Sequence, residues 1–186
     1  MQRSNAAAAA ALRGCNDGAV DTTAGDVTVR DFVMDDAAAT LSVFLDAITV
    51  TASADYSPQQ VAAWSAPQDR TVPEWGLSRA STNTIVAIVS GRIAGFSDVD
   101  SDGYIHMMFV ASEFGRRGVA RALLMEVESR ARTIGVTALA TNASITGRPF
   151  FEHYGFAVIA EQYPVSRGVQ LTNYRMTKQV KPAASR

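Results

Sequence analysis

The sequence predicts a single α/β (α+β) domain with a twisted, mixed and mostly antiparallel sheet around one central β-α-β unit. Of the 186 residues, 47% are hydrophobic, which is enough for one core and too many for a disordered chain. Runs of β-branched residues alternate with segments of helical periodicity from residue 27 onward. The longest helical stripe lies between two strand-like runs, the pattern of a β-α-β crossover.

The first predicted elements are a strand, two helices and a loop. Residues 27–32 alternate between apolar and polar, as a half-buried strand does. Residues 35–49 predict a helix, with two aspartates at the end where the helix dipole is positive. Ser57 and Pro58 predict the N-cap and first residue of a second helix. Two prolines within residues 66–75 predict a loop.

The remaining segments predict three strands in a meander, a long helix, a strand, a short helix and two final strands. In chain order they are residues 84–89, 92–98, 104–110, 117–134, 137–141, 147–154, 156–164 and 170–177. One apolar stripe that includes Val119, Leu123 and Val127 marks the long helix, and Gly135 ends it. The strands on either side of that helix form the predicted β-α-β unit.

Composition limits the classes of function. The formal net charge of −1 disfavours a nucleic-acid partner, which usually requires a basic excess. A single cysteine, Cys15, excludes an internal disulfide. No stretch reaches about 18 apolar residues, so we expect no membrane partner and a cytoplasmic protein. Residues 1–26 are expected to be a disordered tail, residues 27–180 the domain, and residues 181–186 a C-terminal tail.

A strand, a tight loop and a helix meet at residues 110–121. Arg116, Arg117 and Arg121 crowd the start of the helix, where the helix dipole disfavours cations. The small residues Gly115 and Gly118 leave backbone N–H groups uncovered. Arginines, free N–H groups and a helix N-terminus together predict a site for an anion such as a pyrophosphate. The spacing is neither that of the dinucleotide fingerprint nor that of a P-loop.

This loop resembles the pyrophosphate loop of the GNAT superfamily of N-acetyltransferases, Gln/Arg-x-x-Gly-x-Gly/Ala. Gly118 and Ala120 match the two small positions, whereas Gly115 stands where the family usually has Gln or Arg. A second block, residues 143–156, is similar to the family segment that ends in Tyr-Glu-x-x-Gly-Phe. The resemblance runs from about Val27 to Lys178, and Tyr56 to Pro58 with Trp64 resemble a small bacterial subgroup.

The resemblance implies a cleft for acetyl-CoA between the strands at 104–110 and 137–141. The backbone of residues 108–110 would pair with the pantetheine arm, and a backbone N–H near Phe109 or Val110 would polarise the thioester carbonyl. The N–H groups of residues 116–121 would hold the pyrophosphate. The residues implied in binding acetyl-CoA are Met108, Phe109, Val110, Gly115, Arg116, Arg117, Gly118, Val119, Ala120, Arg121, Ser144 and Phe151.

The implied reaction is direct attack on the thioester by an amine, and we expect the acceptor to be a primary amine of a small molecule. The family's usual acid is a tyrosine at the position of Phe151, so Tyr154, one helical turn further on, is the substitute candidate. His106 is the candidate base, because imidazole suits proton transfer near neutral pH. Release of the thiolate without a dedicated acid stays open, because a thiolate is a tolerable leaving group.

Several alternatives remain open at this point. His106 and Tyr154 are also compatible with simple packing, and the arginines with a solvated helix face. Because the usual tyrosine is absent, a non-catalytic acyl-CoA-binding module is an alternative function. Because a fold does not determine a function, a protein-interaction domain is a second alternative, and a homodimer is possible. Residues 98–105 resemble the start of a calcium loop, but Phe109 replaces its last ligand. We therefore expect a polar turn and no metal.

Overall fold

The computed structural model describes residues 27–180. The predicted tails, residues 1–26 and 181–186, lie outside the described residues. The strands are β1 (Thr28–Asp31), β2 (Ile85–Val89), β3 (Arg92–Ser97), β4 (Tyr104–Ile105), β5 (Met108–Val110), β6 (Ala138–Ser144), β7 (Ala157–Gln162), β8 (Val165–Ser166), β9 (Val169–Gln170) and β10 (Asn173–Gln179). The helices are α1 (Ala37–Asp46), α2 (Pro58–Ser65), α3 (Val72–Ala80), α4 (Val119–Thr133) and α5 (Arg148–His153).

The strands form two four-stranded half-sheets and a small hairpin. The first half-sheet has the order β1-β2-β3-β5 and is antiparallel throughout. The second has the order β4-β6-β10-β7, in which only the β4–β6 pair is parallel. Because α4 connects the two parallel strands, the predicted β-α-β unit and the mostly antiparallel sheet are confirmed.

The segment expected to be one strand over residues 104–110 is two strands. β4 pairs with β6 in the second half-sheet, whereas β5 pairs with β3 in the first. The strand breaks at His106 and Met107, which belong to neither element. The expectation of a continuous strand is therefore wrong, and the break is where the two half-sheets separate.

The prediction of a loop over residues 66–75 is also wrong in part, because α3 begins at Val72. Thr71 caps this helix, its hydroxyl accepting a hydrogen bond from the N–H of Glu74 at 3.4 Å. Pro73 lies in the first turn, where a missing N–H costs the helix nothing. Ser57, by contrast, caps α2 as predicted and forms a capping box with Gln60.

The helical segment that starts with α1 extends beyond the predicted end at residue 49. After α1 it continues through a π turn at Ala47–Thr51 and a 3₁₀ turn at Ala52–Ala54. By length and apolar composition alone, the stretch Met34–Ala54 is able to cross a membrane, which the sequence reading did not expect. Many of its apolar side chains, among them Phe44 and Ile48, are buried in the domain, whereas Met34 and Val50 are exposed. Packing in the core therefore accounts for part of its apolar composition.

The core fills both faces of the first half-sheet. On one face an aromatic cluster joins Phe109 to Phe44 at 5.0 Å and to Phe96 at 5.7 Å between ring centroids. Each such ring stabilises the fold by roughly 1.5–3 kcal/mol through burial. On the other face α4 approaches closely at Gly95, where a Cβ atom would lie 2.7 Å from the carbonyl oxygen of Phe109 and 3.0 Å from Val119. Helix, strand and aromatic cluster together fix the position of β5.

Candidate active site

The outer edge of β5 lies where the half-sheets separate. Its inner edge bonds to β3, and the hydrogen bonds at both ends of this pair show which residues of β5 bond to β3. The N–H of Ala111 donates to the carbonyl of Ala94 at 2.9 Å, and the N–H of Asp98 donates to the carbonyl of Met107 at 3.2 Å. Bonded pairs alternate along an antiparallel ladder, so Phe109 also bonds toward β3.

The same alternation turns the N–H and C=O groups of Met108 and Val110 away from β3. β5 is the last strand of its half-sheet among the described residues, so these groups lie at an edge without a strand partner. The family resemblance implies that Phe109 or Val110 supplies a polarising N–H. The ladder favours Val110, because the N–H of Phe109 is directed at Phe96.

The strand break is held by Asp98, a residue that sequence reasoning missed. Its Oδ1 accepts hydrogen bonds from the N–H of His106 at 2.7 Å and of Met107 at 3.0 Å. Its Oδ2 pairs with the guanidinium of Arg79 at 2.8 Å, and both side chains are buried. Burial raises the pKa of the Asp98 carboxyl, against the opposing effects of Arg79 and the two N–H groups.

The predicted anion loop lies between β5 and α4. Gly118 is in the left-handed region, with φ 78°, and Arg116 with φ 61° is a non-glycine residue in the same region. No side chain among residues 27–180 caps α4, so the N–H groups of its first turn have no partner within the helix. A Cβ atom at Gly118 would meet nothing within 4 Å. The loop thus presents an open backbone surface with N–H donors.

Two of the three arginines project from this surface. Arg116 and Arg121 are exposed, and neither forms an ion pair with another described residue. Arg117 lies over the ring of Phe114, with 5.5 Å from its guanidinium carbon to the ring centroid. Because α4 places the positive end of its dipole here, the site combines cations with helix N–H groups. Such a site favours a multiply charged anion.

The candidate base His106 lies beside a carboxylate. Its Nε2 is 2.9 Å from Oδ2 of Asp100, and its ring lies 4.8 Å from the ring of Tyr104. Partial burial opposes ionisation of Asp100, but hydrogen bonds from the N–H groups of Tyr104 and Asp102 and from His106 lower the pKa of its carboxyl. Asp100 thus both closes the polar turn and orients the imidazole. Within residues 27–180 no cluster of His, Cys, Asp and Glu has the arrangement of a metal site.

The candidate acid Tyr154 and its neighbour Phe151 have different surroundings. Phe151 is fully buried, with its ring 5.0 Å from Phe156 and 5.4 Å from Phe150. Tyr154 is half-buried, and its ring lies 4.7 Å from that of Phe150. Ser144 is buried at the end of β6, where its Oγ accepts a hydrogen bond from the N–H of Gly147 at 2.9 Å. The roles given to these residues stay predictions.

Tyr56 links the helices to the second half-sheet. Its hydroxyl donates to the carbonyl of Thr172 at 2.6 Å and accepts from the N–H of Ile145 at 3.0 Å. Burial raises its pKa to about 12, so the hydroxyl stays protonated. Its ring lies 5.4 Å from that of Trp64. Among residues 27–180, the buried Nε1 of Trp64 and the buried amide of Asn173, next to Thr172, have no hydrogen-bond partner. Sequence reasoning missed Asn173.

Known proteins share this architecture. A family model described as the acetyltransferase (GNAT) domain matches residues 52–178. The uncharacterized N-acetyltransferase YafP of Escherichia coli strain K12 is 36% identical over 152 residues, which are 81% of this chain and 95% of that protein. A crystal structure of a GCN5-related N-acetyltransferase from Rhodopseudomonas palustris superposes with a TM-score of 0.77 at 27% identity, covering 82% of this chain and 94% of that one.

A second solved structure, the PaiA N-acetyltransferase of Thermoplasma acidophilum in complex with coenzyme A, shares the fold. Its TM-score is 0.66 at 14% identity, with 83% of this chain and 99% of that chain covered. The chain belongs to the GNAT family of acetyltransferases. It is an acetyltransferase enzyme, and the resemblance found in the sequence is confirmed.

Proposed function

We propose that this enzyme transfers the acetyl group of acetyl-CoA to a primary amine of a small molecule by direct attack. The observation that supports this most strongly is the uncapped N-terminus of α4, preceded by Gly118, beside the free edge of β5. The strand edge of β5 and the anion site at the start of α4 are thus joined by a single loop. PaiA, which shares the fold, was crystallised with coenzyme A.

The residues present fit two parts of acetyl-CoA, the pyrophosphate and the pantetheine arm. The open space at Gly118 allows a pyrophosphate to approach the backbone, and Arg116 and Arg121 add positive charge. The outward N–H and C=O groups of Met108 and Val110 suit the amides of a pantetheine arm, as an added strand suits a sheet edge. The side chains of Ser144 and Phe151 are buried, so their proposed role is to shape the wall of the cleft.

Acetyl-CoA supplies the activated thioester, and the protein moves the protons. An ionised Asp100 only accepts hydrogen bonds, so His106 donates to it from Nε2 and keeps its lone pair on Nδ1. We assign to Nδ1 the removal of a proton from the acceptor ammonium, directly or through water. The N–H of Val110 polarises the carbonyl oxygen, and the Tyr154 hydroxyl delivers a proton to the departing sulfur.

The acceptor is proposed to be small and to bring its own polar group. In the part of the chain that the structure describes, Trp64 Nε1 and the Asn173 amide are buried without hydrogen-bond partners, and the ring of Tyr56 packs beside that of Trp64. Buried polar groups are normally paired, and a ligand group would pair these.

The test is a screen of primary amines with acetyl-CoA, read by release of free thiol. The variant His106→Gln is expected to lower kcat by about 10²–10⁴-fold, and His153→Gln, at the exposed histidine of α5, to leave it unchanged. Calorimetry with coenzyme A runs in parallel. Binding of coenzyme A without turnover of any amine would refute the assignment of a small primary amine as acceptor. Absence of binding would refute the assignment of the anion loop.

A further inference from the structure

We propose that Asp98 is a positioning residue, whose carboxylate holds the strand break that frees the edge of β5 and orients His106. The proposal rests on the proposed acetyl transfer, because it assigns Asp98 a role in that site. Asp98 follows β3 directly and faces the two residues of the break. Neither its spacing nor its neighbours in the sequence indicated this contact.

The backbone geometry at the break carries the argument. Successive N–H groups of a regular strand point in opposite directions. Here the N–H groups of His106 and Met107 converge on one oxygen, Oδ1 of Asp98, at 2.7 and 3.0 Å. A regular strand over these residues would separate the two donors and leave one of them facing away from the carboxylate. Asp98 therefore stabilises the irregular conformation specifically.

Two further contacts hold the same peptide. The carbonyl of Met107 accepts hydrogen bonds from the N–H of Asp98 at 3.2 Å and from the Ser97 hydroxyl at 2.9 Å. Both polar groups of Met107 are thus tied to the end of β3. Beyond this point Met108 pairs with Ser97 in the first half-sheet, whereas Ile105 pairs with Thr141 in the second. The break is what lets one segment serve both half-sheets.

The charge of Asp98 is balanced by a second buried residue. Arg79, on α3, donates to Oδ2 at 2.8 Å, and the side chains are 5% and 0% exposed. A buried ion pair is weak as a source of stability, because apolar residues of similar volume often serve as well. Holding two N–H groups of a strand break is a task that an apolar residue cannot perform. This distinguishes a positioning role from simple packing.

The chain offers a matched control in another part of the fold. Asp36 is also buried, pairs with Arg30 at 2.6 Å, and accepts a hydrogen bond from the N–H of Val33 at 2.9 Å. This pair joins β1 to the turn before α1, and not the strand break. Removing it tests the loss of an ion pair and a backbone acceptor without touching the break.

The experiment compares D98A/R79M, D98N/R79M and D36A/R30M as full-length proteins below their melting temperatures. Both Asp98 variants lack the ion pair, but only asparagine keeps an acceptor for the two N–H groups. We expect kcat of D98A/R79M to fall by about ten- to a hundredfold, as for a misplaced catalytic group. We expect D98N/R79M to recover most of that loss and D36A/R30M to lose little turnover.

Amide hydrogen exchange gives a readout independent of activity. Exchange at His106 and Met107 is expected to be faster in D98A/R79M than in D98N/R79M, whether or not an acceptor amine has been found. Equal kcat and equal exchange in these two variants would overturn the proposal. If D98A/R79M does not fold, D98E decides: it keeps the charge but moves the carboxylate by one methylene. Wild-type kcat and exchange in D98E would then overturn the proposal.

Discussion

Replacement of Gly118 tests the anion loop directly. The residue has φ 78°, and a Cβ atom there would project into open space. In the proposed complex that space is taken by the pyrophosphate, so any side chain would hold the phosphate away from the N–H groups of α4. Gly118→Val adds both bulk and backbone strain. Gly118→Asn adds bulk with little strain, because asparagine tolerates the left-handed region.

The size of the effect follows from the contacts that would be lost. A hydrogen bond to a charged group contributes about 1.5–3 kcal/mol. Loss of one such bond weakens binding by about 10- to 150-fold, since each 1.4 kcal/mol is a factor of about ten. We therefore expect the Kd for coenzyme A, measured by calorimetry, to rise by at least about tenfold in both Gly118 variants.

Gly135 provides the control at the other end of the same helix. It has φ 80° and likewise has nothing within 4 Å of a Cβ position. Helix α4, whose 15 residues span roughly 22 Å at about 1.5 Å of rise per residue, lies between the two glycines. Gly135→Val and Gly135→Asn are expected to match the Gly118 variants in lost thermal stability and to keep wild-type affinity. An unchanged Kd in both Gly118 variants would refute the assignment of this loop.

Three further predictions concern other parts of the site and the fold. Tyr154→Phe is expected to lower kcat by about 10²–10⁴-fold with little change in coenzyme A affinity; a loss under tenfold would assign Tyr154 to packing. Burial of Asp36 raises the pKa of its carboxyl, but hydrogen bonds from Arg30 and from the N–H of Val33 lower it further, to below 3.8. The ionised carboxylate therefore stabilises the fold fully above pH 3.8, and this stabilisation is lost as the pH falls through the lowered pKa. Urea unfolding from pH 5 to pH 2 should therefore show a smaller decrease for Asp36→Asn than for wild type. Tyr56→Phe is expected to reduce the free energy of unfolding by about 1–3 kcal/mol, measured by urea, because it removes the hydrogen bonds to Thr172 and Ile145.

The sequence predicts most elements because their signals are local. The stripe of α4, its final Gly135 and the Ser57 cap each depend on residues within a few positions of one another. The start of α3 was missed although its signal is also local. Thr71 followed by Pro73 is a helix start, whereas two prolines in residues 66–75 predict a loop when only their presence is considered. Weighing the position of a proline, and not only its presence, would have found this helix.

The active-site geometry was less predictable because it depends on contacts between distant residues. Arg79 lies 19 positions before Asp98, and Asp98 lies eight before His106, so no periodicity connects them. The strand break follows from these contacts and not from residues 104–110 themselves, which form one strand-like, mostly apolar run. The anion loop was more accessible, since glycine, arginine and the helix start all fall within seven residues.

The two ends of α4 show why the loop is best explained by a bound anion. At its C-terminal end, Arg130 and Arg132 complement the dipole and pair with Glu126 and Glu128. At its N-terminal end the arginines oppose the dipole, Arg116 adopts a left-handed conformation, and no described side chain caps the helix. Each of these features lowers stability, and they coincide only at this end. A bound pyrophosphate would offset two of these costs, by pairing with the arginines and by accepting hydrogen bonds from the uncapped N–H groups.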